Sequence, residues 1–480
     1  MPRNVAQGRH RAAASAHSLR MAAGRVSGRV RMGRCHGVLL VLISPISANI
    51  YTYTDTPLQP DVVEYRRVGM WAPSDVPHHH GSSIVDSAVS IDLTFKRPNP
   101  QKAGLVQVTL FNADQLPRVG ATLPAGQGGA TRHAFCCTEK VAASRKVPGC
   151  DVAGQLIVAP SAPAADHRHH HEVSVHDVVF GANVSEVRLS QRLLIKHSGV
   201  HYLLLSSCEP RTGTVRFSGR TEWKNPHGYL PGELYPFLPF YGTLTLAYLV
   251  LGAGWAVLCY RHWSQLLPLQ SAIAGVLLLA TLEAATWWRC FHGFNEGGAR
   301  GLVPTILGVL ISTVRKTISR GLVLTVCLGF GVVRPTIGSS WPRILLLGAL
   351  YFLASAALDI ASNTARLEEL ALPTRLLLVL PVGGLDAFYF WWCCTAISRT
   401  LTQLSSRRQS AKLLLYRRFS HVLLALLVLS ALWILSQMIF IASDGLDAHW
   451  SNLWAFDVRA PPPCLPACPA RHLARDPGSP

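Results

Sequence analysis

Six runs of predominantly apolar residues fill the second half of the chain, at 238–260, 271–294, 302–333, 344–362, 374–398 and 413–442. A helix rises 1.5 Å per residue, so most of these runs reach across a hydrocarbon core of about 30 Å. In lipid a chain must satisfy its backbone N–H and C=O groups internally, which leaves a helical bundle as the fold for this half. Composition agrees, because only 15% of the 480 residues are charged, fewer than a soluble domain carries.

The net charge of +19 would suggest a nucleic-acid partner if it covered one folded surface. It does not, and no nucleic acid is expected. Residues 1–36 hold eight arginines, no lysine and no acid, and most of the remaining excess lies between the apolar runs. The loops at 261–270, 334–343 and 399–418 contain Arg261, Arg334 and Arg343, then Arg399, Arg407, Arg408, Lys412, Arg417 and Arg418. The intervening loops, 295–301 and 363–373, set Glu296, Glu368 and Glu369 against Arg300 and Arg366. The bias toward basic residues on the cytosolic side then puts the first set of loops in the cytosol and the N-terminal half in the lumen.

The start of the chain predicts the same orientation. GVLLVLISPISA, residues 37–48, is a short apolar run ending in small residues, as a secretory signal cleaved after Ala48 would be. Met32 gives such a signal its usual compact proportions, with residues 1–31 as a gene-model extension. An organellar transit peptide is the competing reading, since the region is rich in Arg, Ala and Ser.

Residues 49–222 show a different period. VSIDLTF (89–95), LVQVTLF (105–111), EVSVHDVVF (172–180), VRLSQRLLI (187–195) and GVHYLLLSS (199–207) are short alternating runs separated by Gly, Pro and polar clusters. Such a pattern predicts an all-β sandwich. The organisation is therefore a leader over 1–48, a lumenal sandwich over 49–237, a transmembrane bundle over 238–442 and a Pro-rich tail over 443–480. Asn183-Val-Ser185 is a glycosylation sequon that suits a lumenal surface. Cys136, Cys137, Cys150 and Cys208 fall in the sandwich, where an oxidising lumen permits disulfides whose pairing the spacing leaves open. Cys259, Cys290, Cys327, Cys393 and Cys394 accompany apolar segments and read as small core residues.

The third apolar run carries Arg315, Lys316 and Arg320 near its middle. Neither 13-residue flank crosses a bilayer alone, so one long helix over 302–333 is the economical reading. At 100° per residue from Arg315, Ser319 falls near 40°, Ser312 near 60°, Lys316 near 100° and Arg320 near 140°. Ile311, Val314, Ile318 and Leu322 lie on the other side. One face is thus polar and turned inward. An unpaired charge in hydrocarbon costs at least ~2.5 kcal/mol, and the acids at compatible depths are Glu283, Asp386 and Asp359. Pairing with them makes the bundle interior either a lock on helix register or a site for an anionic head group or ions.

Four motifs in order carry a family resemblance: SSCEPRTGTVRFSGRTEWKNPHGYLPGELYPFLPFYGTL (206–244), RKTISRGLVLTVCLGFGVVRPTIG (315–338), LVLPVGGLDAFYFWWCCTAISRTLTQL (378–404) and RRQSAKLLLYRRFSHVL (407–423). Together they resemble the lung seven-transmembrane receptor family, the GOLD-domain seven-helix proteins, in its transmembrane protein 87-like branch. The resemblance implies a GOLD-like sandwich on a seven-helix bundle and residence in Golgi and endosomal membranes. It implies retrograde transport to the trans-Golgi or handling of lumenal cargo or lipid, with membrane lipid, a lumenal cargo protein and cytosolic trafficking machinery as partners. A pH-responsive Golgi cation channel and a receptor for a secreted ligand are the alternatives. The chain departs from the family after WSNLWAFD (450–457), where a seventh apolar helix is expected and VRAPPPCLPACPARHLARDPGSP stands instead, which reads as a mispredicted last exon in preference to a truncated protein.

The remaining features read blandly. His78–His80 and His167, His169, His170, His171 and His176 lie in Pro- and Ala-biased segments without ligand spacing, as do Cys464, Cys468 and His472 in the tail, so no metal is expected. Tyr235, Tyr241, Trp263, Trp287 and Trp288 suit membrane interfaces, and Trp391 with Trp392 a packing wall inside the bundle. With no Gly-rich phosphate loop, HExxH or GxSxG, neither a cofactor nor an enzyme is expected.

Overall fold

The computed structural model describes residues 49–75, 86–98, 103–124, 131–144, 147–160, 173–209, 212–266, 268–330, 333, 338–364, 372–406, 410–442 and 450–452. The leader, both histidine runs other than His176, and the cysteines of the tail lie outside these residues. Two compact units are divided between Glu233 and Leu234.

The first unit is a sandwich of two four-stranded antiparallel sheets. One has the order β1 (Ile50–Leu58), β10 (Val215–Lys224), β3 (Ala88–Lys96), β8 (Glu186–Leu194), and the other β2 (Val63–Met70), β9 (Gly199–Ser206), β4 (Gly104–Asn112), β7 (Ser174–Phe180). Period-2 alternation decides what faces inward. In β3, Val89, Ile91, Leu93 and Phe95 are buried against Phe217 and Trp223 of β10, and Leu203 and Leu205 of β9 close the same core. Gly219 is required where β10 passes β3, because at its φ of 134° a Cβ would stand 2.2 Å from the Asp92 carbonyl oxygen.

β9 reads as a continuous apolar run because it is buried on both faces. Its second face, with Tyr202 and Leu204, lies beside the 3₁₀ segment Ala113–Arg118, from which the chain leaves the sandwich on an excursion through the hairpin β5 (Ala121–Pro124) and β6 (Thr131–Ala134) and the short helix α1 (Glu139–Ser144). The excursion is fastened at several points. The Leu156 N–H donates to Gln107 Oε1 at 2.6 Å, and Gln107 Nε2 donates to Asp177 Oδ1 at 2.8 Å. Disulfides join Cys136 to Cys208 and Cys137 to Cys150.

His227, beyond β10, donates from Nε2 to the Leu230 carbonyl at 3.0 Å. Burial penalises its charged form more than that bond supports it, and its pKa falls to about 4. Between pH 6.5 and 4 the unfolded chain then binds a proton that the folded chain refuses, so stability falls as pH falls through that window. The expected loss from this residue is at most about 3 kcal/mol. A His227→Gln variant should show a flatter pH–melting curve over that window, and an unchanged slope would remove His227 as its source.

Among the described residues, the second unit holds six helices long and apolar enough to cross a membrane: α2 (Phe237–Arg261), α3 (Pro268–Gly297), α4 (Leu302–Cys327), α5 (Trp341–Thr364), α6 (Leu372–Ser406) and α7 (Ser410–Ala442). Consecutive helices pack together, and α4 also packs on α6. The third apolar run is shorter as a helix than its sequence suggests. Leu328 closes it through bonds to the Leu324 and Val326 carbonyls, and Gly329 then turns the chain at φ 90°.

Candidate functional site

Helix α4 is the hub of the bundle, and its three charges are its links to its neighbours. Successive side chains on a helix diverge by about 100°, so Arg315, Lys316 and Arg320 point toward three different helices. Arg315 donates to the Glu283 carboxylate on α3. Lys316 Nζ lies 3.2 Å from Asp359 Oδ2 on α5. Arg320 Nη2 lies 2.8 Å from Asp386 Oδ1 on α6, in ion contact but off the axis of a hydrogen bond. All three basic and all three acidic residues read from the sequence are thus brought together pairwise, and the charges cancel.

The pairs differ in depth. The Arg320 and Asp386 side chains are 5% and 6% exposed, whereas Lys316 and Asp359 keep 30% and 24%. Arg320 also stacks over the Tyr351 ring at 4.2 Å, a contact worth up to about 2 kcal/mol when desolvated. Asp359 Oδ2 is within reach of two hydroxyls, Thr313 Oγ1 at 3.3 Å and Ser355 Oγ at 3.4 Å. Tyr351, Ser355 and Thr313 escaped the sequence reading. Tyr351, Ser355 and Asp359 recur every four residues, and that spacing marks one face of α5.

Below the charges, two hydroxyls donate to carbonyls at the end of α4, where helical partners run out. Thr400 on α6 donates to the Cys327 carbonyl at 2.9 Å, and Tyr416 on α7 donates to the Val326 carbonyl at 3.1 Å. Beside this node lies a cavity of about 230 Å³ between α4, α6 and α7. Arg320, Tyr389, Ser398 and Ser420 are its polar lining residues, and Leu423, Leu424 and Leu427 form an apolar wall.

Other predicted residues fall as follows. Arg399, Lys412, Arg417 and Arg418 are exposed near the α6–α7 connection, while Arg407 and Arg408 lie outside the described residues. Asn183 is exposed in the β7–β8 connection at φ 66°. That loop is held by Arg97, which is 4% exposed and donates to the Gly181 and Val184 carbonyls at 2.8 and 2.9 Å. The aromatic wall needs correction. Trp392 packs inside the bundle, but Trp391, one residue earlier, is rotated outward and 59% exposed. Cys394 is likewise exposed rather than a core residue. His176 bonds to Ser174 Oγ at 2.9 Å, and no group of three metal-ligating side chains occurs among the described residues.

Residues 236–459 match the family described as GOST, seven transmembrane domain. Over that stretch, which is the helical half, the chain is similar to this family. Within it the similarity runs to the transmembrane protein 87-like branch. Human transmembrane protein 87A is 29% identical over 266 residues, which is 55% of this chain and 47% of that protein. Mouse transmembrane protein 87B is 26% identical over 54% of this chain and 46% of its own length. Membrane protein PTM1 of Saccharomyces cerevisiae is 26% identical over 54% and 50%. The chain therefore spans about half the length of the curated relatives it matches, and it is a multi-pass membrane protein whose β-sandwich precedes its helices.

Proposed function

We propose that the chain works in membrane traffic of the Golgi, cycling through endosomes, in retrograde transport to the trans-Golgi or in handling lumenal cargo or lipid on that route. The sandwich sits in the lumen on this reading. The observation that carries it is the charge asymmetry of the bundle ends. The helix ends and connections over 261–270, 334–343 and 399–418 hold nine basic residues and no acid, against two bases and three acids in 295–301 and 363–373. Each base near an anionic leaflet contributes about 1 kcal/mol. The exposed group Arg399, Lys412, Arg417 and Arg418 is therefore a contact for acidic lipid or coat machinery. The α4 charges, neutralised pairwise, hold the helices in register, and the cavity beside Arg320 offers a place for lipid.

Two measurements test the reading. Asn183 lies in the only N-x-S/T sequon of the chain, so a lumenal sandwich predicts a glycan removed equally by glycosidase and by Asn183→Gln. Absence of any mobility shift in wild type would count against the orientation. Changing Arg399, Lys412, Arg417 and Arg418 together to Gln should keep that glycan while moving the protein from Golgi to endosomes. An unchanged distribution, with cation conductance from purified protein in liposomes, would favour a channel. A ligand-driven G-protein response would favour a receptor.

A further inference from the structure

Cys327 and Cys393 belong to different helices, and neither takes part in the ion pairs. Cys327, the last residue of α4, is fully buried, and Cys393 of α6 packs in the same apolar cluster. Both side chains pack in that one cluster, with the Cys327 thiol within hydrogen-bonding reach of Cys393. Their exposures differ. Cys393 is partly exposed and lines the cavity between α4, α6 and α7, while Cys327 lies behind it. Among the described residues the four cysteines of the sandwich are already joined in disulfides, which leaves this contact as a separate thiol pair in the membrane half.

We propose that Cys327 and Cys393 form a hydroperoxide-oxidised thiol pair that locks α4 to α6. The cavity admits the oxidant to Cys393 first. The Cys393 sulfur attacks the O–O bond of a hydroperoxide ROOH, becoming a sulfenic acid, and the thiol proton leaves on the alcohol ROH. The Cys327 sulfur, packed in the same cluster, then attacks the sulfenic sulfur, forming the S–S bond and expelling water. Two thiols and one hydroperoxide give one disulfide, one alcohol and one water. The crosslink forms on the α6 face whose Thr400, two helix turns beyond Cys393 by sequence count, already bonds the Cys327 carbonyl. It closes the α4–α6 seam beneath the Arg320–Asp386 pair. The oxidant has two sources with the same chemistry, aqueous hydrogen peroxide or a lipid hydroperoxide entering along the apolar wall.

The test uses the full chain in lipid nanodiscs, exposed in one arm to hydrogen peroxide and in the other to phosphatidylcholine hydroperoxide within the disc. Free thiols are then blocked under denaturing conditions and peptides are identified by mass spectrometry. A linked peptide pair containing Cys327 and Cys393, lost on reduction, is expected in at least one arm, and the arm names the source. Cys327→Ser should stop the reaction at a sulfenic acid on Cys393, trapped by dimedone, whereas Cys394→Ser should leave the crosslink intact. Equal elution volumes of the variants before oxidation show that each has folded. Failure of both arms to consume Cys327, or loss of the crosslink in Cys394→Ser, would overturn the assignment.

Discussion

Asp386→Leu is expected to cost about 3–5 kcal/mol of bundle stability, the penalty for leaving a buried partner uncompensated. Arg320 would then face an apolar interior with its side chain 5% exposed, and rotation toward water is blocked by the Tyr351 ring over which it stacks. The same physics predicts that Arg320→Met combined with Asp386→Leu recovers most of the loss, because replacing a whole buried pair by apolar side chains is often neutral. Lys316 and Asp359 keep more access to solvent, so Asp359→Leu should cost less than Asp386→Leu. Melting of the four proteins in one detergent–lipid mixture checks the order. If the double variant melts as low as Asp386→Leu alone, the loss comes from packing and not from the bare charge.

The pairing around α4 was legible because hydrocarbon makes charge expensive. Three bases on one helix need partners, and a depth count along neighbouring helices finds Glu283, Asp359 and Asp386. Which acid meets which base was not legible, since that depends on helix order around α4, and depth alone cannot fix it. The six spans followed from length and hydropathy, but the end of the third did not. LGFGVV remains apolar after Cys327, and only the left-handed Gly329 stops the helix. In the sandwich, five strands stood out by alternation. β1, β2 and β10 were not singled out: IYTYTDTPL, VEYRRVGM and VRFSGRTEWK mix charges and hydroxyls into their faces, and β1 carries an irregularity between Tyr53 and Thr56. Trp391 and Trp392 show the same limit at one residue's distance. Adjacent helical positions diverge by 100°, so a doublet cannot face one way.

Joint replacement of Cys136 and Cys208 by Ser should destabilise the sandwich by about 4 kcal/mol, against about 3 for Cys137 with Cys150, in the chain-entropy account of crosslinks. The difference follows from loop size, because the first bond joins residues 72 apart and the second residues 13 apart. Position adds a second distinction. Cys208 lies two residues beyond the end of β9, the strand between β2 and β4, while Cys136 pairs across an isolated bridge with Leu156, whose N–H is held by Gln107 of β4. Cutting the 136–208 bond therefore loosens the whole 113–160 excursion from the second face of β9, where Tyr202 and Leu204 are buried. Cutting the 137–150 bond frees only the loop inside it, since Ile157 and the partly buried Val141 still pack in the same small cluster. Denaturant melts of the intact chain should rank the two variants in that order. Limited proteolysis should cut the first across 113–160 and the second only between 138 and 149. Equal melting losses with identical cleavage patterns would mean that the excursion is held by Gln107 and its apolar contacts, and that the longer disulfide adds little to them.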